Sequence, residues 1–281
     1  MSKIEIIILG IAQDAGFPQL GCYLPCCLPH KFKPESKRYA ASLGIIDHSN
    51  GKRYLIDATP DIKEQMLHFD EHHPPKGEYL SGIFLTHAHV GHYTGLMHFG
   101  KEGYNAKNLP TYVMPRMEQF LKANAPWIEI AQNNLNLNIL ENEVAIILSD
   151  ALNITPFLVP HRDEYSETVG FKITGLKKSL LFIPDIDAWN LWDKSLLHEI
   201  QKVDYALLDG TFLNMNELPG RDISKIPHPT IEQTTALLKD LPANEKEKVH
   251  FIHLNHSNPL ILSNEKYKGF GIAKQLGAIQ L

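Results

Sequence analysis

Apolar residues along this chain fall into short runs separated by turn signals rather than into long helical stripes. "IEIIILG" (4–10), "ASLGIID" (41–47), "RYLID" (53–57) and "YLSGIFLT" (79–86) are rich in β-branched and aromatic residues, and read as strands. Five more such runs, "NLNIL", "EVAIILS", "NITPFLVP", "ETVGFKIT" and "SLLFIPD", lie between 136 and 185, and "VDYALLD" (203–209) and "KVHFIHL" (248–254) follow. Helical spacing is confined to fewer places. "PDIKEQMLHF" (60–69) opens with Pro60 and Asp61, which suit a first turn. Segments 115–125, 191–202, 229–240 and 264–277 complete the predicted helices. Strands alternating loosely with helices predict sheets with helices outside them, an α/β (α+β) architecture. No linker, low-complexity tract or short repeat interrupts the 281 residues, so one domain spanning 1–281 is expected.

Composition narrows the function classes. The chain is 43% hydrophobic and 21% charged, with a formal net charge of −5, ordinary for a soluble globular protein. The nearest approach to a basic run is "HKFKPESKR" (30–38), too short for the broad cationic footprint that nucleic acid requires. No apolar run approaches the ~18 residues of a spanning helix, so no membrane partner is expected. "MSKIEIIILG" lacks the pattern of a signal peptide, and a cytoplasmic location is expected. All three cysteines, Cys22, Cys26 and Cys27, lie within six positions. An odd, clustered count fits a local metal site better than a secreted disulfide framework.

The densest chemistry is "LTHAHVGHYTGL" (85–96), which holds His87, His89 and His92. Side chains on extended backbone alternate faces, so His87 and His89 share one. Past Gly91 the chain can turn and begin a short helix, "HYTGLMHF", that carries His92 back towards them. Three imidazoles converging just after a buried strand suit a zinc-like cation.

"THAHVGH" resembles the T-H-x-H-x-D-H signature of the metallo-β-lactamase superfamily, with Gly91 in place of the aspartate. H-x-H-x-G-H-Y-x-G-L is similar to the branch of pyrroloquinoline quinone biosynthesis B proteins and their relatives. "AQDAGFPQLGC" (12–22), "LLDGTF" (207–212) and "HLNHSNPL" (253–260) agree with that branch, so the resemblance runs through nearly the whole chain. It implies a four-layered αββα sandwich with metal at the sheet edge. It also implies that His87, His89 and His161 hold one divalent ion, with Asp185 as bridging carboxylate and Asp209 as the alternative. His92 and His253 would complete a second site or act as general acid, and Asp57 would brace the histidine loop. Gly91 removes the motif carboxylate, which implies a weaker second ion, a single ion or different chemistry. Zinc, manganese and iron, as one or two ions, all fit this set.

Phosphodiesterase relatives in the same superfamily carry a C-x-C-x-x-C loop that makes a structural zinc site with a late histidine. Cys22 and Cys27 match its outer cysteines, Leu24 stands at the middle position, and Cys26 is expected to replace it. His256, three residues after His253, would be the fourth ligand, with His30 in reserve. A closed tetrahedral site of this kind contributes directly to stability.

The leading functional expectation is a metal-dependent hydrolase acting on a small anionic ester, a phosphodiester first, with Arg162 beside the ligand His161 meeting the anion. The alternatives are an iron-dependent oxidative enzyme of quinone cofactor biosynthesis and a non-catalytic metal-binding scaffold. Nothing in the sequence sets the oligomeric state, which leaves room for a homodimer.

Overall fold

The structure, a computed structural model, describes residues 3–218, 220 and 222–281. Two seven-stranded sheets face one another. The first contains β1 (Ile4–Gly10), β2 (Ser42–Asp47), β3 (Lys52–Ile56), β4 (Gly82–Phe84), β5 (Leu109–Val113) and β6 (Leu135–Ile139). The second contains β7 (Ile146–Ser149), β8 (Leu152–Leu158), β9 (Val169–Thr174), β10 (Ser179–Ile183), β11 (Tyr205–Asp209), β12 (Val249–Ile252) and β13 (Gly271–Ile272). The last strand, β14 (Ala278–Gln280), returns to the first sheet and pairs antiparallel with β1.

Strand direction explains where a site can form. β1, β3, β4, β5 and β6 run one way and β2 runs against them. In the second sheet β8, β10, β11, β12 and β13 share a direction, opposed by β7 and β9. The carboxyl ends of β1, β3 and β4 therefore lie on one rim, as do those of β8, β10, β11 and β12. Parallel neighbours need crossovers, and helices supply them. In the first half these are α1 (Ile62–His72), the short α2 (Val90–Tyr93), α3 (Pro115–Ala123) and α4 (Trp127–Asn133); in the second, α5 (Leu196–Gln201) and α6 (Ile231–Leu237).

β1 shows why two-sided burial gives a continuous apolar run. Ile4, Ile6 and Ile8 face the opposing sheet, while Ile7 and Leu9 face the helices with Ile62, Met66 and Phe69. Between the sheets Phe84 stacks on Tyr112 at 4.2 Å and meets the edge of Phe171 at 5.8 Å. Outside the first sheet α1 lies so close to β2 that a Cβ on Gly44 would come within 2.8 Å of the Phe69 ring. The αββα sandwich is thus observed as expected.

Two predicted helices need correction. Segment 264–277 forms turns and β13 instead of a helix, because glycine recurs at bends and contacts. Gly269 sits at φ +90°, and a Cβ on Gly271 would meet the His250 ring at 2.1 Å. The helix expected over 191–202 begins only after Ser195, whose hydroxyl accepts a hydrogen bond from the His198 amide. Strand β5, with Pro110 inside it, has no counterpart among the sequence-predicted strands.

Candidate metal centre

The rim common to both sheets gathers side chains distant in sequence. Thr86–His92 follows β4, Asp57 follows β3 and Asp14 lies in the loop after β1. From the second sheet come His161 after β8, Asp185 after β10, Asp209 ending β11 and His253 after β12. The histidine loop is tied across to the second sheet, since Val169 N–H donates to Thr86 O (3.1 Å) and Ala88 N–H to Ser166 Oγ (2.9 Å).

His87 Nε2 lies 2.8 Å from His89 Nδ1, and His161 Nε2 lies 3.2 Å from that same nitrogen. Asp185 sits between this trio and a second group. Its Oδ1 is 3.7 Å from His161 Nε2, while its Oδ2 is 2.9 Å from His92 Nε2, 3.3 Å from His253 Nε2 and 3.8 Å from His87 Nε2. Two donors each ~2.0–2.1 Å from one tetrahedral ion lie about 3.3–3.4 Å apart, so these spacings suit shared cations.

The far nitrogens are held from behind. Asp57 accepts from Thr86 N–H (2.8 Å), from the Thr86 hydroxyl (2.8 Å) and from His92 Nδ1–H (2.7 Å). The Thr86 hydroxyl, its proton already given to Asp57, accepts from His87 Nδ1–H at 3.0 Å. Asp187 accepts from His161 Nδ1–H at 2.9 Å. Each brace leaves the opposite nitrogen, Nε2, with a lone pair turned inward, the arrangement that makes imidazole a ligand. Asp57 and His253 both adopt φ +63°, a left-handed conformation uncommon for such residues and frequent where a site dictates backbone geometry.

The donor set fits a divalent cation. His92 Nε2 and Asp185 Oδ2 are buried and make no hydrogen bond, although they approach to 2.9 Å. Two lone pairs at that distance repel, so His92 Nε2 either carries a proton towards Asp185 or shares a bound cation with it. Burial alone would lower the affinity of His92 for a second proton, but Asp57, Asp14 and Asp185 raise it well above the ordinary imidazole range. Burial would likewise raise the Asp185 carboxyl, yet His253, His161 and His92 hold it well below the usual carboxylate range. Burial and the neighbouring His92 keep His87 neutral, as a ligand must be.

Of the residues named from sequence, His87, His89, His92, His161, Asp185 and His253 come together here. Asp209 stands behind them instead. Its oxygens accept from Ile186 N–H (3.1 Å), Thr211 N–H (2.9 Å) and His228 Nδ1–H (2.8 Å), so it braces a histidine rather than facing the inward nitrogens. Arg162 lines the mouth, a cavity of about 460 Å³ bounded also by Asp14, His89, Tyr93, Phe120 and Tyr165. His228 and Asp14 were not singled out from sequence. His228 is buried 3.6 Å from Asp185 Oδ1. Its only sequence signal is its place in "PHPT", just ahead of the α6 capping box of Thr230 and Gln233. Asp14 has its Oδ1 3.3 Å from His92 Nε2 and 3.4 Å from His253 Nε2. A carboxylate therefore does stand beside His92 and His253, from the loop after β1 and not from position 91.

A second cluster joins the loop after β1 to the segment after β12. Cys22, Cys26, Cys27 and His256 place one donor atom each within 4.8 Å of one another. His256 Nδ1 lies 3.4 Å from Cys27 Sγ and 3.7 Å from Cys26 Sγ, and Cys22 Sγ lies 3.8 Å from Cys26 Sγ. Leu24, in the middle of the loop, is exposed, and Cys26 fills the third sulfur position. Burial pushes the Cys27 thiol up to about 12, a cost that a bound cation would offset. His30 is turned elsewhere, against the Ser36 hydroxyl and the Phe17 ring.

Two facing mixed sheets flanked by helices, with histidines and aspartates gathered at their common rim, define a metallo-β-lactamase-fold enzyme. The chain belongs to the β-lactamase superfamily: the Beta-lactamase superfamily domain matches residues 52–253. It is 25% identical to coenzyme PQQ synthesis protein B of Acinetobacter baylyi over 91% of both chains. Zn(2+)-bound PqqB from Methylobacterium extorquens superposes with a TM-score of 0.82 at 21% identity, covering 99% of this chain and 100% of that one. A diphosphatase from the PhnP family superposes with a TM-score of 0.70 at 22% identity, covering 98% and 96%. Among the described residues no helix is long and apolar enough to cross a membrane.

Proposed function

We propose that the protein is a metal-dependent hydrolase of small anionic esters, with phosphodiesters as the substrate class. The observation that carries this is the buried carboxylate of Asp185 set between His87, His89 and His161 on one side and His92 and His253 on the other. A divalent cation bound there supplies Lewis acidity, lowering the pKa of water and polarising an ester oxygen. His87, His89, His161 and Asp185 would hold it. Arg162 at the mouth would orient the anionic group, and Tyr93, Phe120 and Tyr165 beside it would exclude water. His228 borders a cavity of about 690 Å³ lined by Trp189, Leu191, Met215 and Ile226, wide and apolar enough for an ester substituent. With its Nδ1–H given to Asp209, His228 keeps an Nε2 lone pair that would take the proton of the attacking water and pass it to the departing oxygen.

The test is release of nitrophenol from a bis-aryl phosphate by the full-length protein with manganese or zinc. His87→Ala is expected to lower turnover at least ~100-fold, given the usual contribution of such a centre; retained activity would refute this site. An oxidative enzyme is the second reading, favoured by the similarity to coenzyme PQQ synthesis proteins. Iron-dependent oxygen consumption without phosphodiester cleavage would select it, and no turnover with any metal would select a scaffold.

We also propose that Cys22, Cys26, Cys27 and His256 bind structural zinc. Cys27→Ser is expected to lose one zinc per chain and to lower the melting temperature. Unchanged zinc content would rule the site out.

A further inference from the structure

Gly91 stands where the superfamily motif has an aspartate, and the space beside it is filled by another residue. A Cβ on Gly91 would lie 2.2 Å from Asp14 Oδ1, 2.5 Å from Asp14 Cγ and 2.6 Å from Asp14 Cα. No side chain fits at position 91 while Asp14 stays in place. Asp14 itself is carried in by a loop tied to the His253 segment: Gln13 N–H donates to Leu254 O and Leu254 N–H to Ile11 O, both at 2.8 Å. Its Oδ1 sits 3.3 Å from His92 Nε2 and 3.4 Å from His253 Nε2, and Asp185 Oδ2 sits 3.3 Å from His253 Nε2. Those three separations match the ~3.3–3.4 Å edge expected between donors of one tetrahedral zinc-like ion. His92 Nε2 and Asp185 Oδ2, both buried and without hydrogen bonds, lie 2.9 Å apart, somewhat inside that edge.

We propose that Asp14 is the fourth ligand, with His92, Asp185 and His253, of a second divalent cation, replacing from the β1 loop the carboxylate that Gly91 lacks. The carboxylate that the motif would place at position 91 comes here from the β1 loop, so the charge of the second site is kept. The centre is therefore binuclear, with Asp185 shared. This rests on the metal-dependent reading above and adds the number of ions and the source of one ligand.

The experiment compares wild type, Asp14→Asn and Asp14→Ala as full-length proteins loaded with Mn(2+). Manganese is counted by mass spectrometry, zinc at the cysteines is counted separately, and magnetic coupling between ions is read by electron paramagnetic resonance. Wild type is expected to bind two coupled manganese ions. Asp14→Asn is expected to keep one and lose the coupling, with affinity for the second ion falling at least the ~10–100-fold that follows loss of even a supporting partner. Asp14→Ala is expected to behave in the same way. Two coupled ions in Asp14→Asn at unchanged affinity would overturn the Asp14 assignment while leaving the metal centre standing. No manganese in wild type would overturn the metal reading and this proposal together. If Asp14→Asn is unfolded by circular dichroism, Asp14→Ala decides: one ion in a folded protein supports the assignment, and two coupled ions at unchanged affinity overturn it.

Discussion

Asp57 offers a sharp test of how the inward-facing imidazoles are set. Its carboxylate accepts the proton on His92 Nδ1 and thereby keeps His92 Nε2 as a lone pair directed at Asp185. Asp57→Asn changes the charge and almost nothing else. Asparagine tolerates the φ of +63° found here, so backbone strain is not added. Its amide oxygen can still accept from Thr86 N–H, which places its NH2 group against His92 Nδ1. Two donors cannot face each other, so the His92 proton must move to Nε2, the nitrogen a cation needs. The variant should bind the cation near His92 about 10–100-fold more weakly, or about 1.4–2.7 kcal/mol, while His87, His89 and His161 still hold theirs. Titration calorimetry with Mn(2+) measures this directly, and the histidine tautomer is readable from nitrogen chemical shifts. Unchanged affinity together with a proton still on Nδ1 would refute the reasoning.

Asp47, at the end of β2, accepts from Ser149 on β7 and so links the two sheets. Burial would raise its pKa, but hydrogen bonds from Ser149, Ser49 and Asn50 lower it. A carboxylate with a depressed folded-state pKa stabilises above its unfolded value of ~3.9 and loses that contribution as pH falls through the folded value. Asp47→Asn should therefore cost about 1–2 kcal/mol in urea unfolding at pH 7, with the gap to wild type closing below pH 4; a gap independent of pH would contradict this. Gly44→Ala should cost about 1–3 kcal/mol by pushing the Phe69 ring and α1 off the first sheet, and a neutral melting temperature would show that α1 can shift freely.

Much of the architecture was legible because most strands are short apolar runs that must be buried on both faces. β5 escaped because Pro110 breaks its pattern, and Tyr112 covers one face through a ring stack on Phe84 that no local spacing announces. The segment over 264–277 misled because Tyr267, Phe270 and Ala273 recur at helical intervals. Its glycines fit closely against neighbours distant in sequence, as at Gly271 and His250. His87, His89 and His92 were readable as a group because one loop carries them all. Asp14 and His228 were not, because their partners lie on other strands. Asp209 and Asp185 look alike in sequence, each ending or following an apolar strand, and only the amides of Ile186 and Thr211 separate their roles.

Because the inward-facing groups come from both sheets, neither half of the chain owns a complete binding site. His253 and Asp14 meet across a sequence separation of 239, so that contact exists only after both ends of the polypeptide have folded into place. An ion captured there would act as a rivet joining the two halves, adding about 2.7 kcal/mol to their cohesion when free metal is a hundredfold above Kd. Starving the protein of metal would then loosen this junction as well as silence the chemistry.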